Sequence, residues 1–326
     1  MDKFVRLGEC ESAVSSPYVY KWREYSAKVY KCRDTQTNGT VVIKEVPHDR
    51  QFKLTPTLIM REIYYFRTRL AHDNIVRLLD KIDSHGTAYL VFENFDLSLS
   101  DLIDRRFKFD PDQIKNILRK ILLAVAHCHS VGVIHRHLEP KYVLLDLEKD
   151  HVKLSEFGEA MGEGLPYKTY NRLSSVAPGY KAPELLVKSR YYTTACDIWS
   201  VGCIFGEMVL HDPVFTGIHE LEQLFSMFDL LGTPNQQTCP MLAKIWGDMP
   251  NFVQKEPQCL ETKFKGLEPA GVDLISKMLC LDLSKRISAV DALKHEYFSE
   301  VQDVNDENVK SKGGKATLSP QATNSS

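Results

Sequence analysis

Apolar and polar positions alternate along this chain with two different periods, and each period predicts a different element. The run Thr40-Val41-Val42-Ile43-Lys44 is β-branched and follows Asn38-Gly39, a combination that predicts a strand entered from a tight turn. Asp110, Pro111 and Gln113 predict a helix start: an aspartate cap, proline at the first position, and a glutamine three after the cap that can answer it. Ile114, Ile117, Leu118, Ile121, Leu122 and Val125 continue that helix at 3.6-residue spacing. The most apolar stretch, Ile198 to Leu210, is shorter than a membrane span and carries Glu207. At the other extreme, residues 300–326 are polar and rich in Lys, Asn, Ser and Gly, which predicts a disordered tail. Its Ser319-Pro320 reads as an ordinary turn dipeptide ahead of a phosphorylation site.

Composition narrows the classes. At 326 residues the chain accommodates one large two-lobed domain or two ordinary ones. Apolar residues at 43% suffice for a sizeable core, and a net charge of −2 gives no electrostatic case for nucleic acid or an anionic membrane. Eight cysteines occur without a C-x-x-C pair, several inside apolar runs, so reduced buried thiols are expected ahead of disulfides or a zinc site. No apolar core follows the charges at the N-terminus, and no signal peptide is expected.

Local motifs carry more. His135-Arg136-His137-Leu138-Glu139-Pro140-Lys141-Tyr142-Val143-Leu144-Leu145 resembles the catalytic loop of protein kinases, H-R-D-x-x-x-x-N. Val41-Val42-Ile43-Lys44 resembles the V-A-I-K strand, Glu156-Phe157-Gly158 the D-F-G motif, and Ala182-Pro183-Glu184 the A-P-E anchor. Pro56-Thr57-Leu58-Ile59-Met60-Arg61-Glu62 is similar to the PSTAIRE helix of cyclin-dependent kinases, and Leu231-Gly232-Thr233-Pro234 and Leu267 to Leu274 resemble the same branch, closest to its plant-type members. The resemblance implies an α+β bilobal protein kinase fold. Residues 1–96 would form a small β-rich lobe with one regulatory helix and an unusual N-terminal insertion, 97–299 a large, mostly helical lobe, and 300–326 the tail.

Site roles follow from the resemblance residue by residue. Lys44 would occupy the phosphate-contacting position and pair with Glu62, while Val29, Val42, Leu144 and the hinge from Glu93 to Phe95 would line a vestigial ATP pocket. His135, Phe66, Leu78 and Phe157 would stack as the regulatory spine, Arg136 would hold the loop, Asp197 would anchor its backbone, and Glu184 would pair with Arg286. Thr57, Leu58, Ile59, Met60 and Arg61 would form the partner surface, since cyclin docks on this helix in the family.

The chemistry departs from the family at several places. His137 replaces the aspartate that accepts the substrate proton, Glu139 the lysine, Tyr142 the metal-binding asparagine, and Glu156 the metal-binding aspartate. Magnesium demands near-ideal octahedral geometry at about 2.0–2.1 Å, so a carboxylate moved by one methylene is a damaging change. Of the three glycines that let a loop approach phosphates, at most one remains. One register puts Trp22, Glu24 and Ala27 at those positions; the other starts the loop at Gly8 and inserts residues through about Lys28. Ala177 and Gly179 replace a threonine and a tryptophan, and the activating phospho-threonine maps to Asn171 or Arg172. Arg61 and Arg136 remain of the three residues that would hold its phosphate, with Met161 at the third position. Lys44, neutral His137, Glu139, Tyr142 and Glu156 together carry one net negative charge, where the family's residues sum to zero.

The pattern of a kept scaffold and lost chemistry is that of a pseudokinase. It implies action through protein contacts, with a cyclin or another kinase as partner, no required cofactor or metal, ATP binding without magnesium at most, and a nuclear or cytoplasmic location. Two alternatives stay open: an atypical serine/threonine kinase using Glu156 for metal and His137 as base, and a module that binds nucleotide without transfer.

Overall fold

The β-branched run at Thr40 forms the centre of an antiparallel sheet. The computed structural model describes residues 3–9, 28–47, 55–163, 177–187, 193–247 and 254–299. In the upper lobe β1 (Phe4–Glu9), β2 (Lys28–Asp34), β3 (Thr40–Pro47), β4 (Leu78–Ser84) and β5 (Thr87–Glu93) lie in the order β1-β2-β3-β5-β4, with α1 (Thr55–Thr68) packed on one face. Asn38 takes the positive φ of 55° that the turn before β3 requires. The two-residue alternation of β3 then sorts its side chains. Val41 and Ile43 pack with Tyr30, Cys32 and Val91 on one face, while Val42 and Val46 join Ile63, Leu90 and Phe92 on the other. Lys44, in step with Val42 and Val46, is thereby aimed at α1 and the space between the lobes.

Below the sheet the chain is mostly helical. It runs through β6 (Leu97–Ser98), α2 (Leu99–Asp104), α3 (Pro111–Ser130), β7 (Val133–Ile134), β8 (Val143–Asp146), β9 (His151–Leu154) and β10 (Met161–Gly162). Then follow α4 (Pro183–Leu186), α5 (Ala195–Leu210), α6 (Glu220–Leu231), α7 (Pro240–Gly247), α8 (Leu260–Lys263), α9 (Pro269–Met278) and α10 (Ala289–Leu293). The expected bilobal α+β architecture is the one observed. The capping box at the start of α3 is present in full: Gln113 N donates to Asp110 Oδ1 at 2.8 Å and Asp110 N to Gln113 Oε1 at 3.1 Å.

The apolar stretch from Ile198 is the inner part of α5, where Ile198, Trp199, Val201, Cys203, Ile204 and Phe205 are all buried. Trp199 stacks on Phe215 with ring centroids 5.5 Å apart. Among the described residues no helix is long and apolar enough to cross a membrane. Cys32, Cys128, Cys196, Cys203 and Cys239 are buried free thiols, whereas Cys259 is exposed. Gly8 lies in β1 opposite Lys31; both registers for the rest of the glycine loop fall on residues outside those described, as do Asn171, Arg172 and the tail from 300.

Candidate functional site

A cleft opens between the sheet and the helical lobe. Val29, Val42, Val76, Phe92, Phe95 and Leu144 form its apolar walls, and Lys44, Glu62, Glu93, Lys141, Tyr142, Ser155 and Glu156 its polar lining. Lys44, Glu62, Val29, Val42, Leu144 and the hinge residues Glu93 and Phe95, assigned to the vestigial pocket from the sequence, therefore line one space, and Asn94 between the last two does not. Of the four changed catalytic-loop and metal positions, Tyr142 and Glu156 line it; His137 and Glu139 are buried outside its lining.

Lys44 is the centre of the cleft's charge network. Its Nζ lies 3.1 and 3.3 Å from the two oxygens of Glu62 and 2.9 and 3.2 Å from those of Glu156. Burial pushes the ammonium toward neutrality, but the fields of Glu156 and Glu62 outweigh it and hold Lys44 protonated, above the usual lysine range. Burial likewise pushes the Glu156 carboxyl up; Lys44 more than reverses that and brings it down to about 2. Glu62, deeper in the lobe, is the carboxylate that burial leaves raised.

The reach of Glu156 depends on its own backbone. It adopts a left-handed conformation with φ 61°, which costs a non-glycine residue roughly 1–2 kcal/mol. The side chain folds back across Gly158, where a Cβ would stand 2.7 Å from Glu156 Oε1. Glycine at 158 is thus what lets the longer carboxylate return to Lys44.

The catalytic-loop frame is held from beneath. His135 N and Arg136 N donate to Asp197 at 2.9 and 2.8 Å, and His129 Nε2 lies 2.9 Å from the same carboxylate. His135 Nδ1 accepts from His137 N at 3.2 Å, so Nε2 carries the proton and donates to the Ser155 carbonyl at 3.0 Å. Burial lowers this imidazole to about 4 and keeps it neutral. Phe157 packs against His135 at 4.4 Å and against Phe66 at 5.3 Å between ring centroids, and Leu78 joins Phe66 in the sheet's lower cluster, so the spine residues come together. Glu184 and Arg286 form the expected pair, with two parallel contacts of 2.8 and 3.0 Å. Arg136 Nη1 reaches the Glu159 carbonyl and, at 3.6 Å, Met161 Sδ, the residue at the third phosphate-holding position.

Glu139 corrects the charge reading of the sequence. Its carboxylate accepts from Ala177 N at 2.6 Å through Oε1 and lies 2.7 Å from Lys141 Nζ through Oε2, with His137 Nε2 at 3.2 Å from Oε1. The acidic residue at the lysine position is therefore answered by a lysine two residues on, a cation that the five-position charge count omitted. The contact between the catalytic loop and residue 177 also persists, made by a backbone N–H where the family uses a hydroxyl. Tyr142, edge-on to His137 at 4.7 Å, has a phenol that burial and nearby carboxylates raise well above its usual range, so it is neutral.

Burial raises Glu139, but His137 and Lys141 overcome it and bring the carboxyl down to about 2. A depressed folded pKa means stability that is complete above the unfolded value and lost as pH falls through the folded one. Glu139→Gln is therefore expected to lose on the order of 3 kcal/mol at pH 7, the difference from wild type shrinking toward zero as pH falls from about 4.5 to 2. Urea denaturation across that range measures it, and a pH-independent difference would refute the charge account.

Sequence reasoning missed three further features. Lys153 Nζ donates to Glu93 Oε1 at 2.7 Å, which also accepts from Arg77 N at 2.8 Å, so the acidic hinge residue is engaged from both sides. Lys31 on β2 bonds Asp96, just past the hinge. Glu207, the acid inside the apolar α5, accepts from Tyr180 OH at 2.6 Å, and its carboxyl is pushed up to about 7 by burial. On the candidate partner helix, Thr57, Leu58 and Ile59 are helical in backbone, with side chains outside those described. Met60 is 56% exposed and Tyr64, one turn on, 50%, while Arg61 is half-buried. A family model described as protein kinase domain matches residues 25–298, starting after β1 and ending at the close of the helical lobe.

Proposed function

This chain belongs to the protein kinase family, and from that premise we propose that it is a cyclin-dependent-kinase-like pseudokinase, one that acts by protein contacts and not by phosphoryl transfer. The observation that carries the proposal is the double engagement of Lys44 by Glu62 and Glu156. In phosphoryl transfer a lysine at this position neutralises phosphate charge and a carboxylate at the other holds magnesium. Here the two are spent on each other.

Magnesium and triphosphate do not fit the donors present. Both Glu156 oxygens accept from the Lys44 ammonium, so a metal would have to displace it. Tyr142 offers a neutral phenol in place of an amide oxygen, and His137 is packed between Glu139 and Tyr142, away from the cleft lining. Loss of a general base alone removes a factor of about 10²–10⁴ in rate. What supports the partner reading is the contrast with the scaffold: the Lys44–Glu62 contact, the Asp197 anchor and the Glu184–Arg286 pair hold α1 and the loop in place. The helix presents Met60 and Tyr64 outward, an apolar stripe at helical spacing. The cyclin-type partner and a nuclear or cytoplasmic site of action come from the resemblance to cyclin-dependent kinases.

Two outcomes are expected. Phosphate transfer to itself or to a histone-type substrate does not exceed that of Lys44→Ala, and activity above that level sinks the proposal. In a pull-down against a panel of cyclins the full chain retains a cyclin, and Met60→Asp releases it, by about tenfold in affinity or more. Retention unaffected by that substitution would move the contact off α1.

A further inference from the structure

We infer that His72 and His127 form an acid-sensitive latch between the end of α1 and α3: their stacked rings close the junction while neutral and force it open when protonated. The inference goes beyond partner binding and rests on this junction alone, so the cyclin pull-down can fail without touching it.

The two rings meet at the seam between the lobes. His72 stands in the turn from α1 to β4 and His127 in the last turn of α3, with ring centroids 4.9 Å apart and planes inclined by 26°. Three hydrogen bonds tie the same turn to the helical lobe. Arg69, the first residue past α1, donates from Nη1 to the Val131 carbonyl at 2.6 Å, and its own carbonyl lies 2.8 Å from His127 Nε2. Asn74 Nδ2 donates to the Val152 carbonyl at 2.9 Å. The C-terminal end of α1 is therefore held by the stacked pair and the residues next to it.

Hydrogen bonds fix the protonation that this arrangement needs. Asn74 N donates to His72 Nδ1 at 3.0 Å, so that nitrogen must keep its lone pair. A carbonyl only accepts, so His127 Nε2 carries a proton toward Arg69, and the neutral ring leaves Nδ1 bare. A proton added at His72 Nδ1 would face the Asn74 N–H, donor against donor. A second one on His127 would put two cations face to face. The surroundings give little relief. Burial does most to lower His72, His127 and Lys153 on β9 add to it, and Asp73 on the same turn alone opposes them. The Arg69 guanidinium at the end of α1 is a further cation at the junction. A histidine lowered in the folded state contributes stability that is complete above its unfolded value of about 6.5 and is lost as pH falls through the folded one. The latch is thus closed at neutral pH and opens in acid, releasing the Arg69 end of α1 while Lys44 still holds Glu62 in its middle.

Histidine NMR and amide exchange on the full chain test this, each followed from about pH 8 to about pH 5. The His72 ring, assigned by its loss in His72→Gln, is expected to titrate below about 6.5. Amides of Tyr65 to Arg69 are expected to exchange about tenfold faster at about pH 5.5 than at about pH 7.5, once the pH dependence of the exchange chemistry itself is removed, while those of Ile204 and Phe205 in α5 do not change. His127→Phe keeps a ring in the stack and removes its charge. It should raise the His72 titration and cut the acid acceleration to about threefold or less. A His72 ring that titrates at or above about 6.5 overturns the inference. So does an α1 end whose protection is the same in acid, or an acid acceleration that His127→Phe leaves in full. The wild-type exchange comparison needs no variant and decides the matter even if a substituted chain fails to fold.

Discussion

Alanine in place of Glu184 lowers the unfolding free energy by about 3–5 kcal/mol, the cost of breaking a buried ion pair from one side. The Arg286 guanidinium is fully buried in its side chain and Glu184 nearly so. Arg286 meets the carboxylate with two hydrogen bonds, donates to the Ala195 and Cys280 carbonyls, and lies 5.0 Å over the Trp199 ring. Removing the carboxylate strands a permanent cation in the interior, since arginine does not give up its proton. Domain stabilities run from about 5 to 15 kcal/mol, so this single change consumes much of the total. Melting should fall by roughly 10 °C. The exposed pair Lys149–Asp146 serves as contrast: Asp146→Asn should leave the unfolding free energy essentially unchanged. Urea denaturation of the two variants decides it; a Glu184→Ala loss under about 1 kcal/mol would mean water reaches the guanidinium.

Lys44→Met is the second large effect, and its size changes with pH. In the wild-type protein Lys44 holds Glu156 at about 2 against the upward push of burial. A carboxyl depressed in the folded state contributes stability that is full above its unfolded value near 4.5 and is lost as pH falls toward 2. Without Lys44, only the field of His137 and the Gly158 N–H still oppose burial at Glu156, and Glu62 and Glu156 stand side by side. Both folded values then rise above the unfolded one, so stability is greatest in acid and drains away as pH climbs through the raised values. The wild type should thus exceed Lys44→Met by about 3–5 kcal/mol at pH 7.5 and by much less at pH 4.5. Adding Glu156→Gln to Lys44→Met removes one of the stranded charges and should return part of the loss at pH 7.5. A penalty that does not vary with pH would show that Lys44 contributes only packing.

How far the sequence reaches can be judged from particular residues. The capping box at Asp110 and Gln113 was legible because it depends on two side chains three apart. The Lys44–Glu62 and Glu184–Arg286 pairs were legible through motif positions, and so was the gathering of the cleft walls. The second partner of Lys44 was not. A glutamate at 156 announces a carboxylate one methylene farther out, but its direction is set by a left-handed backbone and by the space over Gly158. The fate of Glu139 was hidden for another reason: its donor is the N–H of Ala177, and every residue but proline has one. Lys141 could have been found, because an acid at the lysine position followed two residues on by a base is a charge swap within one short segment. Lys31 and Lys153 reach Asp96 and Glu93 across 65 and 60 residues of chain, a distance no local pattern spans.

Lys44 also has a mechanical role. It is rooted in the sheet, while Glu156 belongs to the helical lobe, so their contact is a rivet across the seam along which the two halves would swing apart. In a cleft without this link, a bound guest draws the jaws together and its departure lets them relax. Here the jaws are fastened from within, and the outward face of α1, tied to the same rivet through Glu62, is expected to hold its posture in the empty cleft. Its readout is backbone amide exchange along α1, which should be slow in the unliganded chain and quicken when Glu156 is replaced by glutamine.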